Sequence, residues 1–258
     1  MLVLTAALIA PIFIDWANFR ADFEREASRV LGRQVEVKGA VTARLLPFPS
    51  VTFEDVRVDG GASGEPAMAI ETFSMDAELA PLMRGELLIF DMRLVRPRAT
   101  VSIAEDGTVD WAIRPSSPFD PRQVTLEKVT ITEGQVIIHH AAGGRDHMLT
   151  EVNAVLSATS LAGPWRIDGS ARLDGMVTRL DVSTGAVGED GKMRVRIRAA
   201  PERYAFDLET DGHAAVAAGA LSYEGTFRLT ARQDDRKDRL RGADGDTFAV
   251  SADDPAKE

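Results

Sequence analysis

The chain has 258 residues, of which 45% are hydrophobic, and a formal net charge of −10 at pH 7. The apolar fraction argues against disorder throughout the chain. The acidic balance is typical of simple solubility and argues against a nucleic-acid partner, since phosphate binding needs a basic patch. No cysteine is present, which excludes disulfides, thiolate metal sites and a cysteine nucleophile.

An apolar run opens the chain, MLVLTAALIAPIFI, shorter than the roughly twenty residues that a membrane-spanning helix needs. A signal peptide would have a basic residue before the run and a small-x-small cleavage site after it, and neither is present. A buried helix of a soluble fold is another interpretation. We favour a membrane anchor over residues 1–16 that starts upstream of this chain. Its residues are Leu2, Val3, Leu4, Leu8, Ile9, Ile12, Phe13, Ile14 and the interfacial Trp16.

The next segment, residues 17–32, has the period of an amphipathic helix. Trp16, Phe19, Phe23, Ala27 and Val30 follow one another at spacings of three and four and form one apolar stripe. Asp15 is a candidate N-cap, and Gly32 is a candidate C′ residue, so the helix should end near residue 31. We expect it to pack on its own domain and close the open end of the sheet that follows.

After Gly32 nearly every segment reads as strand, because apolar residues alternate with polar ones between turn signals. Only residues 80–88 and 214–220 are ambiguous. Paired turn residues favour tight hairpins and therefore antiparallel meanders. The pairs are Asp59-Gly60, Asp106-Gly107, Gly143-Gly144, Asp174-Gly175, Asp190-Gly191 and Asp211-Gly212.

Two segments, VTFEDVRVDGG (51–61) and VTLEKVTITEG (124–134), carry apolar residues at matching offsets. In both, the alternation slips by one residue, at Glu54-Asp55 and at Glu127-Lys128. One extra residue in a strand is what a β-bulge inserts, and bulges bend a sheet. The repeat therefore predicts a curved unit that occurs twice.

The proline-rich stretch PSSPFDP (115–121) cannot continue a central strand and divides the sheet region in two. We predict a first β-groove segment over residues 33–114 and a second over residues 122–231. From residue 232 to 258 the sequence is charge-dense and aperiodic, which predicts a disordered tail.

No motif for catalysis, phosphate binding or metal binding stands out. His139, His140 and His147 lie close in sequence, but neighbours in a strand point to opposite faces, so His139 and His140 could not easily share an ion. A polar strand end is the favoured interpretation, and a hydrolase hidden in this region is the alternative. We predict a protein that is not an enzyme, with no catalytic residue, cofactor or metal.

Alternating strands of this kind give a sheet with one continuous apolar face. In a sandwich or closed barrel that face is core. In an open groove it is a dry lining for acyl chains. Periodicity alone leaves both interpretations open.

Two blocks of the chain resemble the AsmA family of envelope proteins. The first is PIFIDWANFRADFEREASRVLGRQVEVKGAVTARLLPFPSVTFEDVRV, with a "G-x-x-v-x-v-x-G" strand at 32–39 and an "L-P-x-P" strand pair at 46–58. The second begins at VTLEKVTITEGQVII and includes a "GP[FW]" strand at 161–169. The likeness covers about residues 3 to 230, and the first block is the more specific.

The resemblance implies a mainly β fold in which one inner-membrane helix and a short amphipathic helix precede an open, curved antiparallel sheet. It implies a single-pass inner-membrane protein with its bulk in the periplasm and an apolar groove that serves phospholipid transport or outer-membrane biogenesis. Family members are usually longer, so we expect this chain to be the N-terminal region of a longer member or a truncated one. The alternative is an assembly factor that binds outer-membrane proteins through its sheet. The expected groove lining is Val35, Val37, Leu45, Val51, Phe53, Val56, Val58, Val124, Leu126, Val129 and Ile131.

Overall fold

The computed structural model describes residues 16–44, 48–60, 66–82, 84, 86–105, 108–110, 124–141, 144–161, 163–188, 190–217 and 220–232. The predicted anchor up to Asp15, Leu45, the proline-rich stretch and nearly all of the predicted tail lie outside these ranges. Within them no helix combines the length and the hydropathy required to cross a bilayer.

The protein is mainly β. The described residues form two helices and 14 strands. In chain order these are α1 (Trp16–Leu31), β1 (Val35–Val37), β2 (Val41–Arg44), β3 (Ser50–Val58), β4 (Met68–Ala77), α2 (Leu79–Leu82), β5 (Leu87–Val95), β6 (Arg98–Ile103), β7 (Val109–Asp110), β8 (Val124–His140), β9 (Arg145–Ala158), β10 (Trp165–Leu173), β11 (Met176–Thr184), β12 (Lys192–Pro201), β13 (Phe206–Ala217) and β14 (Ala220–Ala231).

All of these strands belong to one sheet, in the order β1-β3-β4-β5-β8-β9-β10-β11-β12-β13-β14, with β2 beside β3 and with β6 between β4 and β8. From β8 to β14 every neighbouring pair is antiparallel, as the turn signals predict. The prediction of a purely antiparallel sheet is wrong at one place. Strand β8 runs parallel to both β5 and β6. The stretch from residue 104 to residue 123 exceeds the dozen or so residues that a parallel connection needs.

Helix α1 packs on the first strands, as its apolar stripe predicts. It ends at Leu31, and Gly32 follows with a φ of 67°, the left-handed conformation of a C′ glycine. Phe23, Ala27 and Leu31 contact the sheet. The side chains of the other stripe residues, Trp16, Phe19 and Val30, lie outside the described set, as does Asp15.

The turn signals at Gly144, Asp174-Gly175 and Asp190-Gly191 lie in hairpin turns as predicted, and one signal falls inside a strand instead. Asp174 and Gly175, with φ angles of 47° and 86°, close the β10–β11 hairpin. Asp211-Gly212, by contrast, lies in the middle of β13 rather than in a turn. Gly212 faces Gly225 on β14, and a Cβ at Gly212 would lie 2.3 Å from the carbonyl oxygen of Glu224. Close packing between strands explains this glycine.

The backbone is irregular at both predicted bulges, but the register shift that one extra residue causes is present only in β8, since β3 keeps its register with β4 across Asp55. In β3, Phe53 and Val56 are both buried although three residues apart, and Asp55 between them has a φ of 48°. In β8, the pairing with β9 shifts register between Leu126 and Val129. The phase slip in the sequence therefore marks a real irregularity in each strand.

Further residues with left-handed backbone lie beside one another across the sheet. Arg96 follows β5, Glu133 lies in β8 and Glu151 lies in β9, with φ angles of 48°, 53° and 50°. The register sets Arg96 next to Glu133, because Val95 pairs with Thr132, and Glu151 next to the Gly134–Val152 pair. We call Arg96, Glu133 and Glu151 the crease.

Ion pairs run along the crease. The Arg96 guanidinium binds Glu71 on β4 and reaches Glu133 on β8 at 3.3 Å. The bond from Arg96 lowers the pKa of the Glu71 carboxyl. Beyond the crease, the Arg172 side chain on β10 bonds Glu151 at 2.9 Å. The Arg96 ion pairs therefore join β4 to β8, and the Arg172 ion pair joins β9 to β10, where the pairing of the strands is irregular.

Candidate apolar binding face

The strand register aligns apolar residues in rows that cross the sheet. Directly paired residues project to the same face, so each row belongs to one side. The first row is Phe53, Phe73, Leu94, Ile131, Ala154, Gly169, Leu180, Ala199, Leu208 and Leu229. The second row is Val51, Met75, Met92, Val129, Leu156, Ile167, Val182, Ile197, Thr210 and Phe227. Together these residues form what we call the apolar face.

The opposite face is polar and charged. The row between the two apolar rows is Thr52, Ser74, Arg93, Thr130, Val155, Asp168, Asp181, Arg198, Glu209 and Arg228. Its ion pairs include Arg198 with Glu209 at 3.7 Å. Beside that row Asp211 accepts bonds at 2.8 Å from both Arg194 and Arg196, which hold the pKa of the Asp211 carboxyl well below its usual range. The sheet is therefore amphipathic from β3 to β14.

Helix α1 covers one end of the apolar face. The cluster beneath it, which we call the N-terminal cluster, consists of Val35, Val37, Phe53, Val56, Val58, Ala67 and Ile70. Phe53 is fully buried, and its ring stacks on Phe23 of α1 with centroids 3.8 Å apart. This end of the sheet is ordinary packed core.

A second cluster, the central cluster, lies on β5, β8 and β9. It consists of Ile89, Val124, Leu126, Val129 and Ala158. Trp165 and Leu161 pack against it. Leu94 touches both clusters, which makes the buried part of the apolar face continuous from β1 to β9.

Burial falls off toward β14. Leu180, Val182, Ile197 and Leu208 are each partly buried, and Leu229 at the end of the first row is 65% exposed. The two described helices pack at the opposite end, α1 against β1 and β2 and α2 against β5. In the described part of the chain, the apolar residues of β10 to β14 therefore have no helix over them.

The residues predicted to line a groove divide between these regions. Val35, Val37, Phe53, Val56 and Val58 belong to the N-terminal cluster, and Val51 packs against it. Val124, Leu126 and Val129 belong to the central cluster, and Ile131 is partly buried in the first row. Leu45 lies outside the described residues. These residues are mainly core, so the accessible part of the face lies further along the sheet.

The accessible residues, on β10 to β14, are ones that sequence reasoning did not select. A signal for them exists in the alternation of KMRVRIRAA on β12, where Met193, Val195 and Ile197 are partly buried and the arginines between them are exposed. Alternation identifies the apolar side of each strand. It does not identify which strands a helix covers, because that depends on contacts between distant segments.

The three neighbouring histidines do not converge. His139 Nδ1 lies 2.7 Å from Asp146, and His147 Nδ1 lies 3.1 Å from Asp174. His140 pairs with Arg145 in the next register position, so its side chain leaves the opposite face from that of His139. Among the described residues no three histidine, aspartate or glutamate side chains form a group that could hold a metal ion.

One arrangement near His139 has the order of a catalytic triad. Ser102 on β6, His139 on β8 and Asp146 on β9 lie side by side and line a cavity of about 340 Å³. In a catalytic triad the carboxylate is buried and orients the imidazole. Here the side chains of Asp146 and His139 are 65% and 43% exposed. Water therefore screens the pair, and the arrangement lacks the buried carboxylate of a catalytic triad.

Comparisons of the chain with protein-family models, with curated proteins and with solved structures give no match.

Proposed function

We propose that the protein is a non-enzymatic component of a bacterial cell envelope, in which the apolar face forms an open groove for phospholipid acyl chains. The observation that carries this proposal is the pair of apolar rows that continues over ten strands, with only Thr210 as a polar member. Acyl chains need a dry apolar surface and no directed hydrogen bonds, which is what these rows offer.

The dimensions support the same proposal. Neighbouring strands lie about 4.8 Å apart, so the accessible part of the rows, on the five strands from β10 to β14, extends over about 19 Å. An acyl chain occupies about half of a hydrocarbon core that is roughly 30 Å thick. The rows are therefore longer than one acyl chain, as a surface along which lipids move must be.

The N-terminal block supports a location. Its likeness to AsmA-family proteins, together with the apolar run before α1, is the basis for proposing a single inner-membrane anchor with the sheet in the periplasm. The same likeness supports a role in phospholipid transport or outer-membrane biogenesis.

An envelope scaffold is the second candidate, in which the sheet binds outer-membrane proteins. The exposed side chains of Phe227 and Leu229 on β14 favour it, since exposed apolar patches are typical of protein interfaces.

Site-specific photo-crosslinking in cells separates these candidates. A photoreactive phenylalanine analogue at Leu180 or Val182 reports on the apolar face, and the same analogue at the exposed Arg179 is the matched control on the opposite face. We expect phospholipid adducts, identified by mass spectrometry, at Leu180 and Val182 and none at Arg179. Protein adducts in their place would favour the scaffold, and equal lipid labelling at all three sites would reject the groove.

A further inference from the structure

Strand β14 has a long exposed edge. Among the described residues it is the last strand of the sheet, and its 12 residues pair with β13 in unbroken register from Ala220 to Ala231. Residues 222–231 are all exposed. The strand contains neither proline nor lysine, the residues with which edge strands commonly block further pairing. Such an edge is suited to accept another strand.

The sequence of β14 is complementary to itself. We propose that two copies of the protein associate through antiparallel pairing of their β14 strands, with Thr226 opposite Thr226 of the partner subunit. In this register Glu224 lies opposite Arg228 of the partner subunit, and the two-fold symmetry repeats that ion pair. Opposite charges that face each other across a strand pair stabilise the pairing.

The apolar residues agree with the same register. Tyr223 lies opposite Leu229 of the partner subunit, and Gly225 lies opposite Phe227 of the partner subunit. Within each copy the Tyr223 ring already lies over Gly225, so the glycine leaves no open gap on this face. Each apolar side chain of the pair thus meets an apolar neighbour or a glycine.

Neighbouring registers lose these pairings. A shift that centres the pair on Gly225 sets Glu224 against Thr226 of the partner subunit, and a centre on Phe227 sets Glu224 against Thr230 of the partner subunit. The two centres just described offset the strands by two residues. An offset of one residue would instead set apolar residues of one copy beside charged residues of the other. The charges and the alternation therefore select the centre at Thr226.

A second copy fits the edge better than residues 233–258 do. Residues 233–258 are charge-dense and have no alternating run that matches a 12-residue strand. The two-fold axis of the proposed pair is perpendicular to the sheet, so both apolar faces remain on one side and join. This pairing follows from β14 alone and does not depend on whether the face binds lipid.

Disulfide trapping tests the register in the 258-residue chain, which has no cysteine of its own. Thr226→Cys brings two thiols to the symmetry axis, where paired strands have Cα atoms about 4.5–5.5 Å apart, within the range of a disulfide. The matched control is Ser222→Cys, another exposed residue on the same face of β14, whose thiols would be about 26 Å apart at 3.3 Å per residue. We expect a reducible dimer from T226C at least about tenfold faster than from S222C.

Charge reversal tests the ion pairs by an independent measurement. Glu224→Arg or Arg228→Glu alone sets like charges opposite each other twice, which should weaken the dimer by about tenfold in sedimentation equilibrium. The double variant E224R/R228E restores opposite charges and should return the dimer dissociation constant to within about twofold of the original value. Equal trapping of T226C and S222C, or a double variant no tighter than the single ones, would overturn the proposal.

Discussion

At the scale of single residues, Phe53 is the anchor of the N-terminal cluster. It is fully buried, stacks on Phe23 of α1 and lies 6.2 Å, between ring centroids, from Phe73 on β4. One side chain thus joins the helix to two strands. Because the helix reaches the sheet through this contact, its removal should affect both elements together.

The substitution Phe53→Ala should lower the free energy of unfolding by about 3–5 kcal/mol, through lost burial and the cavity left behind. Phe227→Ala removes the same ring from a position that is 67% exposed in the single subunit, and at protein concentrations where the chain is monomeric it should change stability by less than about 0.5 kcal/mol. Urea denaturation of both variants measures the difference. Similar losses at the two positions would contradict the assignment of Phe53 to the core.

At the scale of secondary-structure elements, the crease is the feature that sets this sheet apart from a regular meander. Left-handed conformations at Arg96, Glu133 and Glu151 occur on neighbouring strands, although none of these residues is a glycine. A non-glycine residue with positive φ carries a conformational cost. Three neighbouring segments carry this conformational cost. This indicates that the irregular backbone of each segment is stabilised by the irregular backbone beside it.

Two substitutions at Glu133 separate the backbone effect from the lost ion pair with Arg96, because both remove the carboxylate. Glycine tolerates the φ of 53° at this position, whereas valine is strongly disfavoured there. We therefore expect E133V to be less stable than E133G by about 1–2 kcal/mol. Thermal unfolding monitored by circular dichroism gives the comparison, and equal stability of the two variants would argue against a strained crease.

Local signals were sufficient for some elements. The end of α1 at Gly32, the irregular backbone at Asp55 and the bulge between Leu126 and Val129 follow from caps and alternation, which act over a few residues. The parallel alignment of β8 could not be predicted, because it depends on which distant strands pair. The Asp211-Gly212 turn was predicted wrongly for the same reason, since a facing strand determines the role of Gly212.

The same distinction, between local signals and the pairing of distant strands, applies to the candidate site. Alternation correctly indicates that the strands have an apolar side, and the buried Val124 and Leu126 illustrate it. Which apolar residues are core and which are accessible depends on where α1 packs and on the register across ten strands. The sequence therefore predicts a lining, but its accessible residues, on β10 to β14, are apparent only in the structure.

At the scale of the whole molecule, the sheet is asymmetric along the direction of its rows. The first row begins at the buried Phe53 beneath α1 and ends at the exposed Leu229 on the edge strand. A ligand that enters from the β14 side would meet progressively more enclosed apolar surface. Pairing of two β14 edges would extend this surface from one copy into the next.

The proposed groove makes a direct prediction for a charge placed in the second row. Ile197 lies between Val182 and Thr210, so Ile197→Glu would introduce a carboxylate where acyl chains are expected to lie. A charge without a partner is costly in apolar surroundings, and we expect phospholipid binding to weaken by at least about tenfold. Arg179→Glu introduces the same side chain on the charged face and should leave binding within about twofold.

Binding of a fluorescent phospholipid to each purified variant, with circular dichroism as the check on folding, measures both effects. Ala199→Glu in the first row serves as the replacement if I197E does not fold, and unchanged binding in a folded variant of either row would contradict the groove.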